Sequence, residues 1–169
     1  KPSKTPPDLT KGGEKDKFHD WNLGPTGARG WIWGRSLETT DAVQILVTQI
    51  DKGSPSDGIL KKGDVILGAD GRLFRECAPM ELGKAITEAE KQEKTGVLEL
   101  SVWRERKKGK VRMKLPVMGS YSDTAPFNCE KSRKIFENGC EYIADNMKGG
   151  IDGRMNALAL LASGKEKYV

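Results

Sequence analysis

The chain has 169 residues, 36% of them hydrophobic and 31% charged, with 29 basic against 24 acidic side chains for a net charge of +5. That length suits one domain of about 100 residues with a smaller appendage, and no apolar run approaches the ~20 residues that a bilayer span requires. Charges of both signs interleave, so the excess reads as a solvated mixed surface. The one basic cluster is Arg104, Arg106, Lys107, Lys108, Lys110, Arg112 and Lys114, and apart from Trp103 it lacks the aromatic platform on which nucleic-acid bases stack.

In chain order, residues 1–17 hold three prolines, two glycines and five lysines around a single leucine. A stretch with so little apolar area to bury is expected to be a flexible tail, with order beginning near Phe18 and Trp21. Next comes NLGPTGARG, with glycines at 24, 27 and 30, running into Trp31-Ile32-Trp33, which reads as a strand. After the polar SLETTD turn, residues 43–50 (VQILVTQI) are rich in β-branched side chains and predict a strand. GSP and SDG punctuate the following turns, Ile59 and Leu60 form a short apolar plug, and DVILGA and RLF predict two short strands about an Asp-Gly turn.

Residues 79–92 predict a helix, with Pro79 in its first turn and Leu82, Ala85, Ile86 and Ala89 at helical spacing. VLELSVWRER and VRMKLPV alternate as strands, with KKGK expected as the hairpin turn between them. Residues 118–127 read as a linker. Residues 128–147 predict a helix with Cys129, Phe136, Cys140, Ile143 and Met147 on one face. A last helix is expected to be capped by Asp152 and to pack through Met155, Leu158, Ala159, Leu161 and Ala162 before Gly164 ends it. The two form an αα-hairpin, expected to be the start of a longer helical region.

Three cysteines, Cys77, Cys129 and Cys140, do not make a disulfide framework. Cys129 and Cys140 are eleven residues apart on one expected helix, roughly 16 Å at 1.5 Å per residue and too far to bridge. The single histidine, His19, leaves no two-histidine metal site and no local nucleophile–base pair. No catalytic constellation and no cofactor follows from these residues.

The glycine-rich loop is the feature that asks for chemistry. A Walker loop requires a Lys-Ser/Thr pair and a following helix, and the dinucleotide fingerprint requires glycine where Thr26 stands. A loop followed by a strand suits a different anion, a peptide carboxylate cradled by main-chain N–H groups while the peptide backbone pairs with the strand beyond.

The run from Gly53 to Leu67, GSPSDGILKKGDVIL, and the Ala69-Asp70-Gly71 turn after it resemble the signature of PDZ domains. The helix and closing strands follow in that family's order, and the resemblance covers about residues 18–117. It implies an α+β fold, a partly open β-barrel or sandwich of five to six strands with one or two helices, here followed by a linker at 118–127 and the helical hairpin at 128–169. It also implies that Arg29-Gly30-Trp31-Ile32-Trp33 stands where PDZ domains carry their carboxylate-binding loop, with Ile32 replacing the second glycine. Met80 and Lys84 would face the peptide from the opposite wall, and Met80 replaces the histidine of domains that select Ser or Thr. Trp33 is expected inside and Trp31 partly exposed.

The resulting expectation is a non-catalytic module that captures extended peptides or protein C-termini in a groove between the strand after Gly30 and the helix at 79–92. Its partners would be such peptides and the rest of a longer chain, with no nucleic acid and no membrane span. Two other readings stand beside it. One is the targeting or regulatory part of a larger exported enzyme such as a processing protease, a role in which bacterial PDZ domains occur and which favours a periplasmic or secreted location. The other is a purely structural domain whose groove is filled by its own residues. The Asn22–Ile32 stretch and the helical hairpin are also similar to large bacterial proteins in which a helical toroid follows a PDZ domain.

Overall fold

The computed structural model describes residues 5–12, 18–35, 38–39, 41–147 and 149–168. The chain is α+β and divides after Val117 into two compact units. Among the described residues the first holds seven strands, β1 (Asp20–Asn22), β2 (Ala28–Trp31), β3 (Ile45–Ile50), β4 (Val65–Ala69), β5 (Arg72–Leu73), β6 (Val97–Arg104) and β7 (Lys107–Lys114), with one α-helix, α1 (Ala78–Ala89). The second holds α2 (Glu130–Asp145) and α3 (Gly150–Ala162).

The sheet is antiparallel throughout, in the order β1-β2-β3-β4-β6-β7, with β5 folded back on the end of β4. Its core is built from the β-branched and leucine-rich runs of β3, β4 and β6. Ile45, Ile66, Leu98 and Leu100 are each at most 1% exposed. The helical stripe Leu82, Ala85, Ile86 and Ala89 packs into the same cluster, so one face of α1 closes the sheet.

Two turns share one form, the first as expected and the second displaced from its expected place. Asp70 and Gly71 have φ of 49° and 78°, the paired left-handed conformations of a two-residue turn between β4 and β5. The β6–β7 turn is Glu105-Arg106, with φ of 50° and 64°, and not KKGK, whose four residues open β7. A two-residue turn of this hand matches the twist of the flanking strands and draws Lys107 into register with Arg104.

The Gly53–Leu67 run is held by its own aspartate. Asp64, 1% exposed, accepts the Lys61 N–H at 2.8 Å. It also pairs through both oxygens with Arg104, whose Nη2 donates in addition to the Ile59 carbonyl at 2.8 Å. Gly63 takes φ +96°, a conformation that side chains resist.

The expectation of a flexible tail fails over residues 5–12. Leu9 is 6% exposed within the core cluster, its N–H donates to Gln44 Oε1 at 2.6 Å, and it begins a short 3₁₀ turn, Leu9–Lys11, capped by Asp8. One buried leucine with one backbone bond to a side chain 35 residues away is enough to seat the segment. The rest of 1–17 lies outside the described residues.

In the helical unit, Arg133 pairs with Glu130 and Glu137 along α2, and Lys165 and Lys167 reach Glu137 and Glu141. Among its described residues the buried ones are Cys129, Lys131, Cys140, Gly153 and Leu160. Lys131 lies over the Tyr121 ring with Nζ 4.6 Å from its centroid. The expected apolar stripe of the last helix is turned outward: Met155, Leu158 and Leu161 are 62%, 59% and 50% exposed. Gly149 stands at the N-cap of α3, and Asp152 lies inside its first turn, where its charge complements the helix dipole without capping it.

Candidate functional site

The expected site starts at the glycine-rich loop, and each glycine has a local reason. Gly24 and Gly27 take φ of 65° and 69°, turning the chain between β1 and β2. Gly30 lies within β2, where a Cβ would stand 2.5 Å from Ile45 Cγ2 and 3.1 Å from a Leu23 methyl. Its side of the strand is pressed on the core.

The loop amides are used within the loop. Gly24 N–H donates to Asn22 Oδ1, Gly27 N–H to the Gly24 carbonyl, Ala28 N–H to Thr26 Oγ1 and Leu23 N–H to the Ala28 carbonyl. These four bonds close the turn between β1 and β2 as a hairpin loop.

The strand after the loop is flanked on both sides. β3 pairs along one edge of β2, with a bulge between Arg29 and Gly30, and β1 pairs along the other in the register Asp20↔Trp31, Trp21↔Gly30 and Asn22↔Arg29. The ladder runs on past both ends, with Ile32 N–H donating to the His19 carbonyl at 2.9 Å. The edge expected to be open to a peptide is covered by residues 19–23 of the same chain.

Arg29 is committed to this closure. Its Nε donates to Asp20 Oδ2 and its Nη2 to the Asp20 carbonyl, both at 2.8 Å, and the Thr48 hydroxyl from β3 donates to the other Asp20 oxygen. Burial pushes the Asp20 carboxyl up. The hydrogen bonds from Thr48 and Arg29, together with the Arg29 charge, outweigh it and hold the group below its ordinary 3.8. The Arg29 guanidinium thus binds a carboxylate, as its position suggested, but that carboxylate is the chain's own.

Trp31 is buried alongside Trp33, at 2% and 5% exposure, contrary to the expectation of a partly exposed Trp31. The reason lies just before β1: His19, itself 6% exposed, meets the Trp31 ring edge-on with centroids 6.4 Å apart. Ile32 is buried at 3%.

Met80 and Lys84, expected on the opposite wall, both stand on α1. Lys84 lines a cleft of about 410 Å³ with Ala69, Asp70, Arg72, Phe74, Glu81, Ala85 and Glu88, between α1 and the β4–β5 turn, and no residue of β2 lines it. Met80 is 59% exposed and does not line this cleft. The structure therefore brings Arg29, Gly30, Trp31 and Ile32 together with Asp20, His19 and Thr48, and leaves Met80 and Lys84 outside that cluster. Asp20 and Thr48 are not legible in the sequence as site residues, because Asp-Trp-Asn carries no strand pattern that would place Asp20 beside β2 and β3. The aspartate standing nine residues before the arginine was the available signal.

Among the described residues no group of His, Cys, Asp and Glu could hold a metal ion, and no helix is long and apolar enough to cross a membrane. No family model matches the chain, and no curated protein matches it.

Proposed function

We propose that the first unit is a non-catalytic, PDZ-like module whose strand-addition edge is closed by its own β1, and that its role is structural. The observation that carries this reading is the double grip on β1: a backbone ladder to β2 and the Arg29 and Thr48 hydrogen bonds to Asp20. Strand addition supplies affinity through main-chain hydrogen bonds. Here those bonds are already made within the molecule, where a tethered segment acts at a high effective concentration that a free peptide must overcome.

A second reading is favoured by the shortness of β1. Three residues, of which Trp21 and Asn22 are exposed, make a small ladder. β1 would then act as a resident stand-in for a ligand, displaced by an extended peptide that places an acidic residue where Asp20 lies.

Titration of the full chain with a library of labelled C-terminal peptides separates the two. Without displacement, no saturable binding is expected up to ~1 mM, a free energy of only about −4 kcal/mol. Saturable binding at micromolar concentration, with loss of the Asp20–Arg29 contact, would establish the gated receptor and overturn the structural role. A full-length Asp20→Ala, Trp21→Pro variant, checked for folding by circular dichroism, should bind more tightly than the parent if the edge is latent.

A further inference from the structure

A second edge of the sheet is open, and it is strongly charged. β7 ends the strand order, so among the described residues only β6 pairs with it. The two-residue turn makes Arg104↔Lys107 a hydrogen-bonded pair, and alternate pairs follow down the hairpin. The Leu115 N–H to Gly96 carbonyl bond of 2.7 Å keeps that alternation, and the Asp70 N–H to Glu99 carbonyl bond shows the intervening β6 positions turned outward. The backbone N–H and C=O groups of Lys108, Lys110, Arg112 and Lys114 therefore point away from β6, along the free edge.

The side chains of the same four residues share the exposed face, since Val111 and Met113 between them turn toward the core. Opposite them on β6 stand Trp103, Ser101, Glu99 and Val97. Glu99 is the single carboxylate in this row and pairs with both Lys110 and Arg112 at 2.7 and 2.8 Å. Four cations thus meet one anion.

We infer that the β7 edge is a docking site for an extended acidic polypeptide segment, one with Asp or Glu at every second position, which adds as a further antiparallel strand. Its backbone would take up the outward groups of Lys108, Lys110, Arg112 and Lys114. Its carboxylates would fall directly across from the four cations, within reach of cross-strand ion pairing. The same row of lysines repels a second copy of this edge. A polynucleotide would engage the charges but leave the row of backbone donors and acceptors unused. This site is separate from the β1–β2 closure, and its test reads different residues.

The test uses the full chain and an acetylated, amidated octapeptide of alternating Glu and Thr, followed by backbone amide shifts and exchange in about 0.1 M salt. Slowed exchange of the Lys108, Lys110 and Arg112 amides is expected, with at least a tenfold loss of affinity when the peptide's Glu amides are N-methylated at unchanged charge. Lys108→Glu with Lys114→Glu, which leave the core face of β7 untouched, should abolish binding without altering the circular dichroism spectrum. Equal binding of the methylated peptide, tighter binding of an octathymidylate, or no shift at ~1 mM peptide would each overturn the proposal.

Discussion

The Arg29–Asp20 contact concentrates the account in two side chains. Both are about one-third exposed, so solvent screening discounts the pair. Asp20→Asn, which keeps the shape and removes the charge, is expected to cost about 1 kcal/mol in urea unfolding at pH 7. The pH dependence has a definite sign. Because the folded-state carboxyl is held below its ordinary value, its contribution is present in full above the unfolded value of about 3.9 and is lost as pH falls through the lower folded one. Wild type and Asp20→Asn should converge in stability below about pH 4, and a constant gap down to pH 2 would contradict the contact. Gly30 tests the packing next to it. A methyl group 2.5 Å from Ile45 Cγ2 overpacks a core whose backbone is fixed by two ladders. Gly30→Ala should destabilise by about 1–3 kcal/mol, measured by the same unfolding curves. Gly24, which has open space at its Cβ position, carries only the strain of its positive φ.

The elements show why some of the sequence was readable and some was not. The runs that became β3, β4, β6 and α1 carry their own signal: short apolar or β-branched runs that are buried on consecutive residues in β3 and β4, strict alternation in β6 and a helical stripe in α1. Leu98, fully buried on β6, should therefore behave as an ordinary core leucine, and Leu98→Ala is expected to cost about 2–5 kcal/mol in chemical denaturation. β1 carries no such signal. Asp-Trp-Asn is three residues long and polar at both ends, and it becomes a strand only because β2 offers an edge and Arg29 offers a partner. A local pattern does not reveal an element whose stability comes from its neighbour. The same holds for α3, where apolar residues stand at helical spacing but the burial falls on Gly153 and Leu160. Periodicity identified the helix and not the face that packs.

The two compact units differ in what holds them. The sheet unit buries a continuous cluster from Leu9 to Leu115, whereas the buried apolar side chains of the helical unit are Cys129, Cys140 and Leu160 among the described residues. Surface ion pairs along α2 add little to stability. Amides of α2 and α3 should accordingly exchange through smaller local openings than those of β4 and β6, a difference that residue-resolved hydrogen exchange reads directly. The same experiment addresses the central claim that the strand-addition edge is occupied from within. The Ile32 amide, which donates to the His19 carbonyl, is the group to follow in the peptide-free chain. Closure by β1 predicts strong protection of Ile32, removed by Asp20→Ala combined with Trp21→Pro while β4 and β6 stay protected. Exchange of Ile32 at the rate of an unstructured amide in the wild-type chain would mean that the edge is open, and would contradict the account.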